Sequence, residues 1–327
     1  MKLATFDDGT PDGALHVVTA DRSRAVSARA IAPTLQAALE RWDEAAPALE
    51  ALSADLEAGR AAGSIAVGRA PFRAPLPRAW QWLDASAFPF HGHLMQQAFG
   101  LPPVETDPPL MYQGLSHRFL GPEEDVPLPS AEDGIDFEGE FAVITGPVPM
   151  GITPAAAMDA IRLVTLVNDW SLRRIAPREM KTGFGWVQAK PACSAAPLAV
   201  TPAVLGAAWA DGRVQRRLTV TFRGAIFGRA HGGAMAHGFH DLIAHAARTR
   251  DLPAGTLIGS GTVSNEDAAA VGSSCIAERR ALEMAAQGEA TTSFMTFGER
   301  VRMECFDEAG QSLFGAIDQR VIHSTGA

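Results

Sequence analysis

Short apolar runs punctuated by glycine and proline dominate this chain, and few stretches carry a helical period. The start reads as a hairpin, with strands over 2–6 and 15–19 around the turn Asp7-Asp-Gly-Thr-Pro-Asp-Gly13. Pro33 and Thr34 then open an Ala-, Leu- and Glu-rich helix that runs to about residue 59, with Pro47 breaking or bending it. Prolines at 71, 75 and 77 follow. They predict a boundary near residue 75, dividing a small domain (1–75) from a larger one (76–327).

In the larger part, β-like runs are expected at 141–145, 217–222, 256–261, 300–305 and 319–322. Two helices interrupt them. One is capped by Thr153, has Pro154 in its first turn and ends near residue 167. The other spans 239–250, with Phe239, Leu242, Ile243, Ala246 and Ala247 on one face. The pattern predicts an α+β protein, mainly β, with helices laid against sheet and no Rossmann-type alternation.

Composition narrows the partners. With 327 residues, 47% apolar and 20% charged, the chain has ample material for a core. The net charge of −9 and the lack of any Lys/Arg run argue against nucleic acid and anionic membrane. The opening residues have no signal-peptide apolar core, and the uncharged stretch 191–210 holds too many prolines to span a bilayer as a helix. Cys193, Cys275 and Cys305 form no C-x-x-C pair, which suits a reducing, cytoplasmic setting and small buried thiols.

The acids give the first chemical signal. Glu138 and Glu140 sit two apart in Ile135-Asp-Phe-Glu-Gly-Glu-Phe-Ala-Val-Ile144, so on a strand they share one face about 6.5–7 Å apart. Two carboxylates converging to about 4 Å would repel by roughly 4 kcal/mol at an effective dielectric near 20. A cation between them removes that cost, and oxygen-only ligation favours a hard divalent ion over zinc. The same spacing also describes an ordinary solvated strand face, so the motif gains weight only from its company. Asp169 follows the apolar stretch from Leu163 and needs a partner, which Arg173, four residues on, could supply. Lys190 ends a short apolar segment and could point inward. Asp84 and His91 lie in a loop-like, aromatic-rich stretch, an acid and a potential base together. Gly259-Ser-Gly-Thr-Val-Ser264 lacks the lysine-bearing helix of a phosphate loop and reads as a tight backbone approach. His237, His240 and His245 lack the offsets of a helical zinc site and read as a polar helix face.

Taken together, Asp136-Phe-Glu-Gly-Glu140, Val167-Asn-Asp-Trp-Ser-Leu-Arg173, Lys190-Pro191, Gly259-Ser-Gly-Thr-Val-Ser264 and Asp84 seven residues before His91 resemble the fumarylacetoacetate hydrolase family. The resemblance covers residue 78 to the C-terminus. It implies a mixed β-sandwich roll with a small N-terminal α/β domain, a homodimer, and Mg2+, Ca2+ or Mn2+ held by Asp84, Glu138, Glu140 and Asp169. It further implies that His91 activates water, that Glu278 orients it, that Arg173, Tyr112 and Lys190 contact substrate or an oxyanion, and that Thr262 contacts substrate. Three positions depart from the pattern. The spacing around Glu278 differs by about two residues, Ala176 replaces a glutamine, and Ser86 stands at the position of a substrate-contacting tyrosine.

The implied reaction is metal-dependent hydrolysis of a carbon–carbon bond in a 1,3-diketo acid, foremost fumarylacetoacetate to fumarate and acetoacetate in aromatic amino acid breakdown. Such a bond breaks when an enolate can leave, and a hard cation on the dicarbonyl oxygens favours that. The same centre would serve an acylpyruvate hydrolase such as one for fumarylpyruvate, an oxaloacetate decarboxylase or a hydroxyhepta-dienedioate isomerase. A binding protein for dicarboxylates without turnover is the alternative from another class.

Overall fold

Eleven strands form one large mixed sheet, and its order explains how distant acids meet. The computed structural model describes residues 1–68, 70–99 and 107–324. From one edge the sheet runs Ile65–Ala66, Arg24–Ser27, Ala14–Val18, Lys2–Phe6, Leu198–Val200, Ile161–Asn168, Gly139–Thr145, Leu257–Gly259, Trp82–Ala85 and Met111–Gln113, with Ser194–Ala195 also pairing Ile161–Asn168. Pairing is antiparallel except between Leu257–Gly259 and Trp82–Ala85. A second sheet of five strands runs Ala225–His231, Arg217–Phe222, Arg300–Cys305, Ile317–His323 and Val126–Leu128. The fold is α+β and mainly β, with mixed sheets and helices packed on them.

The central strands are buried on both faces. Alternate residues of Gly139–Thr145 go to different cores: Phe141 and Val143 pack with Leu218, Val220 and Met303 of the second sheet, and Ala142 and Ile144 pack with Leu35, Leu39 and Leu49 of the N-terminal helices. Such strands lose the apolar–polar alternation and read as continuous apolar runs. The N-terminal segment shares this arrangement. Its hairpin extends the large sheet through Lys2–Phe6 against Leu198–Val200, and its helices cover one face.

Several expectations are corrected here. Residues 153–167 are not one helix: Pro154–Ala157 is a single helical turn, Met158–Ala160 a 3-10 turn, and Ile161–Asn168 a central strand. Thr153 caps the helical turn and Pro154 lies in it as expected, but the β-branched, two-sided burial from Ile161 onward makes strand and not helix. The first helix is interrupted at Arg41, giving Leu35–Glu40 and Trp42–Glu57, and Pro47 lies inside the second. The expected 239–250 helix ends earlier, as Phe239–Ala246. Asp84 and His91 are not on a loop, since Asp84 sits in the strand Trp82–Ala85 and His91 in the helix Pro89–Phe99. Ile276–Gln287 is a further helix of twelve residues. Among the described residues, no helix is long and apolar enough to cross a membrane.

Candidate metal centre and active-site cavity

Three carboxylates meet at one end of the large sheet. Asp84 lies near the end of its strand, Glu140 near the start of Gly139–Thr145, and Asp169 directly after Ile161–Asn168. Gly259 stands between them in the register, opposite Asp84 on one side and Ala142 on the other, and Asn168 lies opposite Gly139. One oxygen from each of Asp84, Glu140 and Asp169 lies within 4.8 Å of the others, and all three residues are buried. Among the described residues no other such group of His, Cys, Asp or Glu side chains occurs.

The glycine segment allows this approach. The Gly261 N–H lies 3.2 Å from both Asp84 Oδ1 and Glu140 Oε2. A Cβ on Gly259 would fall 2.4 Å from Asp84 Oδ1 and 2.8 Å from Glu140 Oε2. Gly261 has φ +77°, and its Cβ would meet the Ala85 carbonyl at 2.4 Å. Only glycine satisfies both demands.

Electrostatics point to a missing positive charge. Burial, reinforced by Asp169, pushes Asp84 up to about 8. Burial together with Asp84 and Asp169 holds Glu140 well above its ordinary value. Acids this close in a dry site cannot all ionise without a counter-charge. Glu140 Oε1 is buried without a hydrogen-bond partner. Clustered oxygen donors with an unsatisfied acceptor fit a hard divalent cation.

Glu138, the fourth expected ligand, lies beside this group with other partners. Its Oε1 accepts from Lys190 Nζ at 2.6 Å and Ser171 Oγ at 2.5 Å, and its Oε2 accepts from the Thr262 hydroxyl. Arg173 Nη2 is 3.2 Å from Oε1. Burial opposes ionisation, yet Arg173, Lys190 and His91 hold Glu138 well below the usual carboxylate range. It is the anion that keeps two cations at the cavity wall.

Lys190 bridges the two halves, since its Nζ also donates to Asp169 Oδ2 at 2.5 Å. Burial acts against its charge, but Asp169 and Glu138 raise its pKa and keep it protonated. Tyr112 donates its hydroxyl to Asp169 Oδ2 at 2.6 Å, and the buried Cys193 thiol donates to Oδ1 at 3.0 Å. The expected pairing of Asp169 with Arg173 is not formed. The chain from Asp169 is extended, and Ser171 pairs with Asp136, so Arg173 emerges beside Asp136 and donates Nε to Oδ2 at 2.8 Å. Asp136 also accepts from the Ile276 and Ala277 N–H groups at 2.7 and 2.9 Å, which fixes the start of the helix Ile276–Gln287.

That helix delivers Glu278. Fully buried, its Oε2 lies 3.0 Å from His91 Nδ1. His91, Asp84, Glu138, Lys190, Arg173, Tyr112, Ser86 and Thr262 all line one cavity of about 320 Å3. Sequence reasoning overlooked Asp136, Cys193, Ser171 and Trp186. Asp136 carried a readable signal, since it precedes Glu138 by two residues and continues the same face. Cys193 and Trp186 carried none.

Comparisons with known proteins place the chain in a family and a fold. The family model described as fumarylacetoacetate (FAA) hydrolase C-terminal matches residues 82–322, and the one described as fumarylacetoacetase N-terminal domain 2 matches residues 1–78. Similar solved structures include a maleylpyruvate hydrolase from Sphingobium sp. SYK-6 in complex with manganese(II) and pyruvate, at TM-score 0.68 and 16% identity over 99% of this chain and 100% of that one. A probable 2-hydroxyhepta-2,4-diene-1,7-dioate isomerase from Mycobacterium abscessus gives 0.69 and 15% over 100% of both chains. A fumarylacetoacetate hydrolase from Exiguobacterium antarcticum gives 0.68 and 16% over 99% of both. No curated protein matches the chain in direct sequence comparison. Since the first model alone spans most of the chain, and Asp84, Glu140 and Asp169 lie within the residues it matches, the protein belongs to the fumarylacetoacetate hydrolase family.

Proposed function

We propose that this protein hydrolyses a carbon–carbon bond of a 1,3-diketo acid, with a divalent cation held by Asp84, Glu140 and Asp169. The observation that carries the reading is the His91–Glu278 pair at 3.0 Å, with His91 on the same cavity as Asp84. Such a pair gives an attacking water its base; an isomerase would use the same base to move a proton on carbon, so the product formed separates the two reactions.

With His91 Nδ1–H donating to Glu278, Nε2 is the basic nitrogen, free to take a proton from water. Glu278 then stabilises the imidazolium, which can return the proton to the departing carbanion. Of the three Lys190 N–H bonds, two are committed to Glu138 and Asp169 and the third can donate to a developing oxyanion. Arg173 neutralises Glu138 and keeps Lys190 from being drawn wholly to it. When bound, the cation supplies Lewis-acid polarisation of the dicarbonyl.

Fumarylacetoacetate, implied by the sequence resemblance, and acylpyruvates are the substrates to assay. Turnover should require Mg2+ or Mn2+, stop with a chelator, and fall on the order of 10²-fold or more in His91→Ala. If His91→Ala retains the metal and still forms an isomerised or decarboxylated product, the water-attack reading is wrong. So it is if no 1,3-diketo acid is turned over with metal present.

A further inference from the structure

The charged end of the cavity and its remaining walls differ sharply in chemistry. Lys190 is held by Glu138 and Asp169, Arg173 by Asp136 and Glu138, and His91 by Glu278. Among the described lining residues these are the only basic side chains, and each is anchored to an acid at the charged end. The other walls are Met95, Leu110, Met111, Ala176, Met180 and Trp186, with Gln96 and Ser86 as neutral polar groups. Asp84 is 4% exposed at the charged end, whereas Leu110 and Met180 are each 39% exposed, so the apolar walls open toward solvent.

The apolar wall is also held in place. Trp186 packs edge-on against Tyr112, ring centroids 6.0 Å apart at 80°. The Glu179 carboxylate, next to Met180, accepts from the backbone N–H groups of Val187, Gln188 and Ala189 at 2.9 to 3.2 Å. The segment carrying Trp186 is thereby closed into a loop on that side of the cavity. Large apolar side chains gathered at a cavity mouth are unfavourable in water unless something apolar covers them.

Resting on the hydrolase reading above, we infer that the outer cavity receives an uncharged, apolar acyl arm, so that the substrate is a diketo acid with a single carboxylate at the charged end. A second carboxylate on the far arm would lose its hydration against methionine and tryptophan, walls that carry no basic side chain to receive it. An alkyl or aryl arm would gain by covering the same surface, by about fourfold in affinity for each methylene buried. Met180, Trp186 and Leu110 are then the specificity-determining residues, and Glu179 positions Trp186.

The test compares shape-matched arms on the Mn2+-loaded protein. Kinetics are measured with acetylpyruvate, butanoylpyruvate, 4-methylpentanoylpyruvate and succinylpyruvate, the last two differing in a terminal isopropyl against a carboxylate. The inference expects kcat/KM to rise with alkyl length and to favour 4-methylpentanoylpyruvate over succinylpyruvate by about tenfold or more. Met180→Arg should narrow or reverse that ratio by supplying the absent cation. If none of these is hydrolysed, the hydrolase reading falls, and calorimetric binding of the same matched pair decides the inference alone. Tighter binding of the isopropyl compound upholds it. Equal or better use of succinylpyruvate in either assay, or binding of neither compound, overturns it.

Discussion

His91 Nδ1 lies 3.0 Å from Glu278 Oε2, although the two residues are 187 positions apart and sit on different helices. Neither helix end faces bulk water at this point, for Glu278 is fully buried and His91 is 9% exposed. Asp136 completes the arrangement from below by binding the first N–H groups of the Glu278 helix. The motif that supplies Glu138 and Glu140 therefore also sets the position of the histidine's partner.

Glu278→Gln keeps an acceptor for His91 and removes the charge that stabilises its protonated form. On whichever diketo acid is turned over, kcat should fall on the order of 10²-fold with little change in KM. Mn2+ affinity measured by calorimetry should stay within about threefold, because Glu278 is outside the acid group. A kcat within about twofold of the unaltered protein would show that His91 does not depend on Glu278.

The acid group couples metal binding to pH. In the cation-free protein burial lifts Asp84 to about 8 and raises Glu140 as well, against values near 4 in an unfolded chain. A carboxyl whose folded pKa is raised binds its proton more tightly when folded. Its contribution to stability is fully present below the unfolded value and is lost as pH rises through the folded one. The melting temperature of chelator-treated protein should thus decline between about pH 5 and about pH 8, and saturating Mn2+ should flatten that decline. Calorimetry near pH 7 in buffers of different ionisation enthalpy should record proton release as Mn2+ binds. Binding without proton release would remove the coupling.

How far the sequence disclosed this site depended on whether each contact was local. Glu138 and Glu140 were legible because alternation along a strand puts them on one face, and the Gly259 to Gly261 segment because only a close backbone approach explains its composition. The pairing of Lys190 with Asp169 was not, since it depends on where two distant segments leave the sheet. The possible pairing of Arg173 with Asp169 does not form, and Asp136 and Glu138 take its place, because a four-residue spacing brings side chains together on a helix and this stretch is extended. Ile161–Asn168 reads as helix in the sequence because burial on both faces erases the period that marks a strand. The Ile276–Gln287 helix escaped notice because its N-terminal partner, Asp136, lies 140 residues away, and Cys275 is a weak local cap.

Asp136→Ala tests whether that distant capping matters. The substitution leaves Arg173 without its closest partner and two helix N–H groups unbound, all in a buried setting. Breaking a buried pair from one side costs about 3–5 kcal/mol. Chemical denaturation should show a loss of that size, and Asp136→Asn, which keeps acceptor capacity, should lose less. A loss below about 1 kcal/mol in the alanine variant would mean that water replaces Asp136 at this point.

Gly259→Ala separates the metal centre from the fold around it. The added methyl would meet Asp84 Oδ1 and the Trp82 ring at 2.4 Å each and Glu140 Oε2 at 2.8 Å, so both carboxylates must turn away or the strand must shift. Overpacking of this kind costs about 1–3 kcal/mol, little enough for the domain to stay folded. The carboxylates are different, because hard divalent ions hold their oxygens at about 2.0–2.6 Å and tolerate little displacement. Mn2+ affinity should therefore drop on the order of 10- to 100-fold while the circular dichroism spectrum is kept. Serine at the same position should behave like alanine, since the obstruction arises at Cβ. Unaltered Mn2+ affinity in a folded Gly259→Ala protein would show that the cation is held somewhere other than between Asp84 and Glu140.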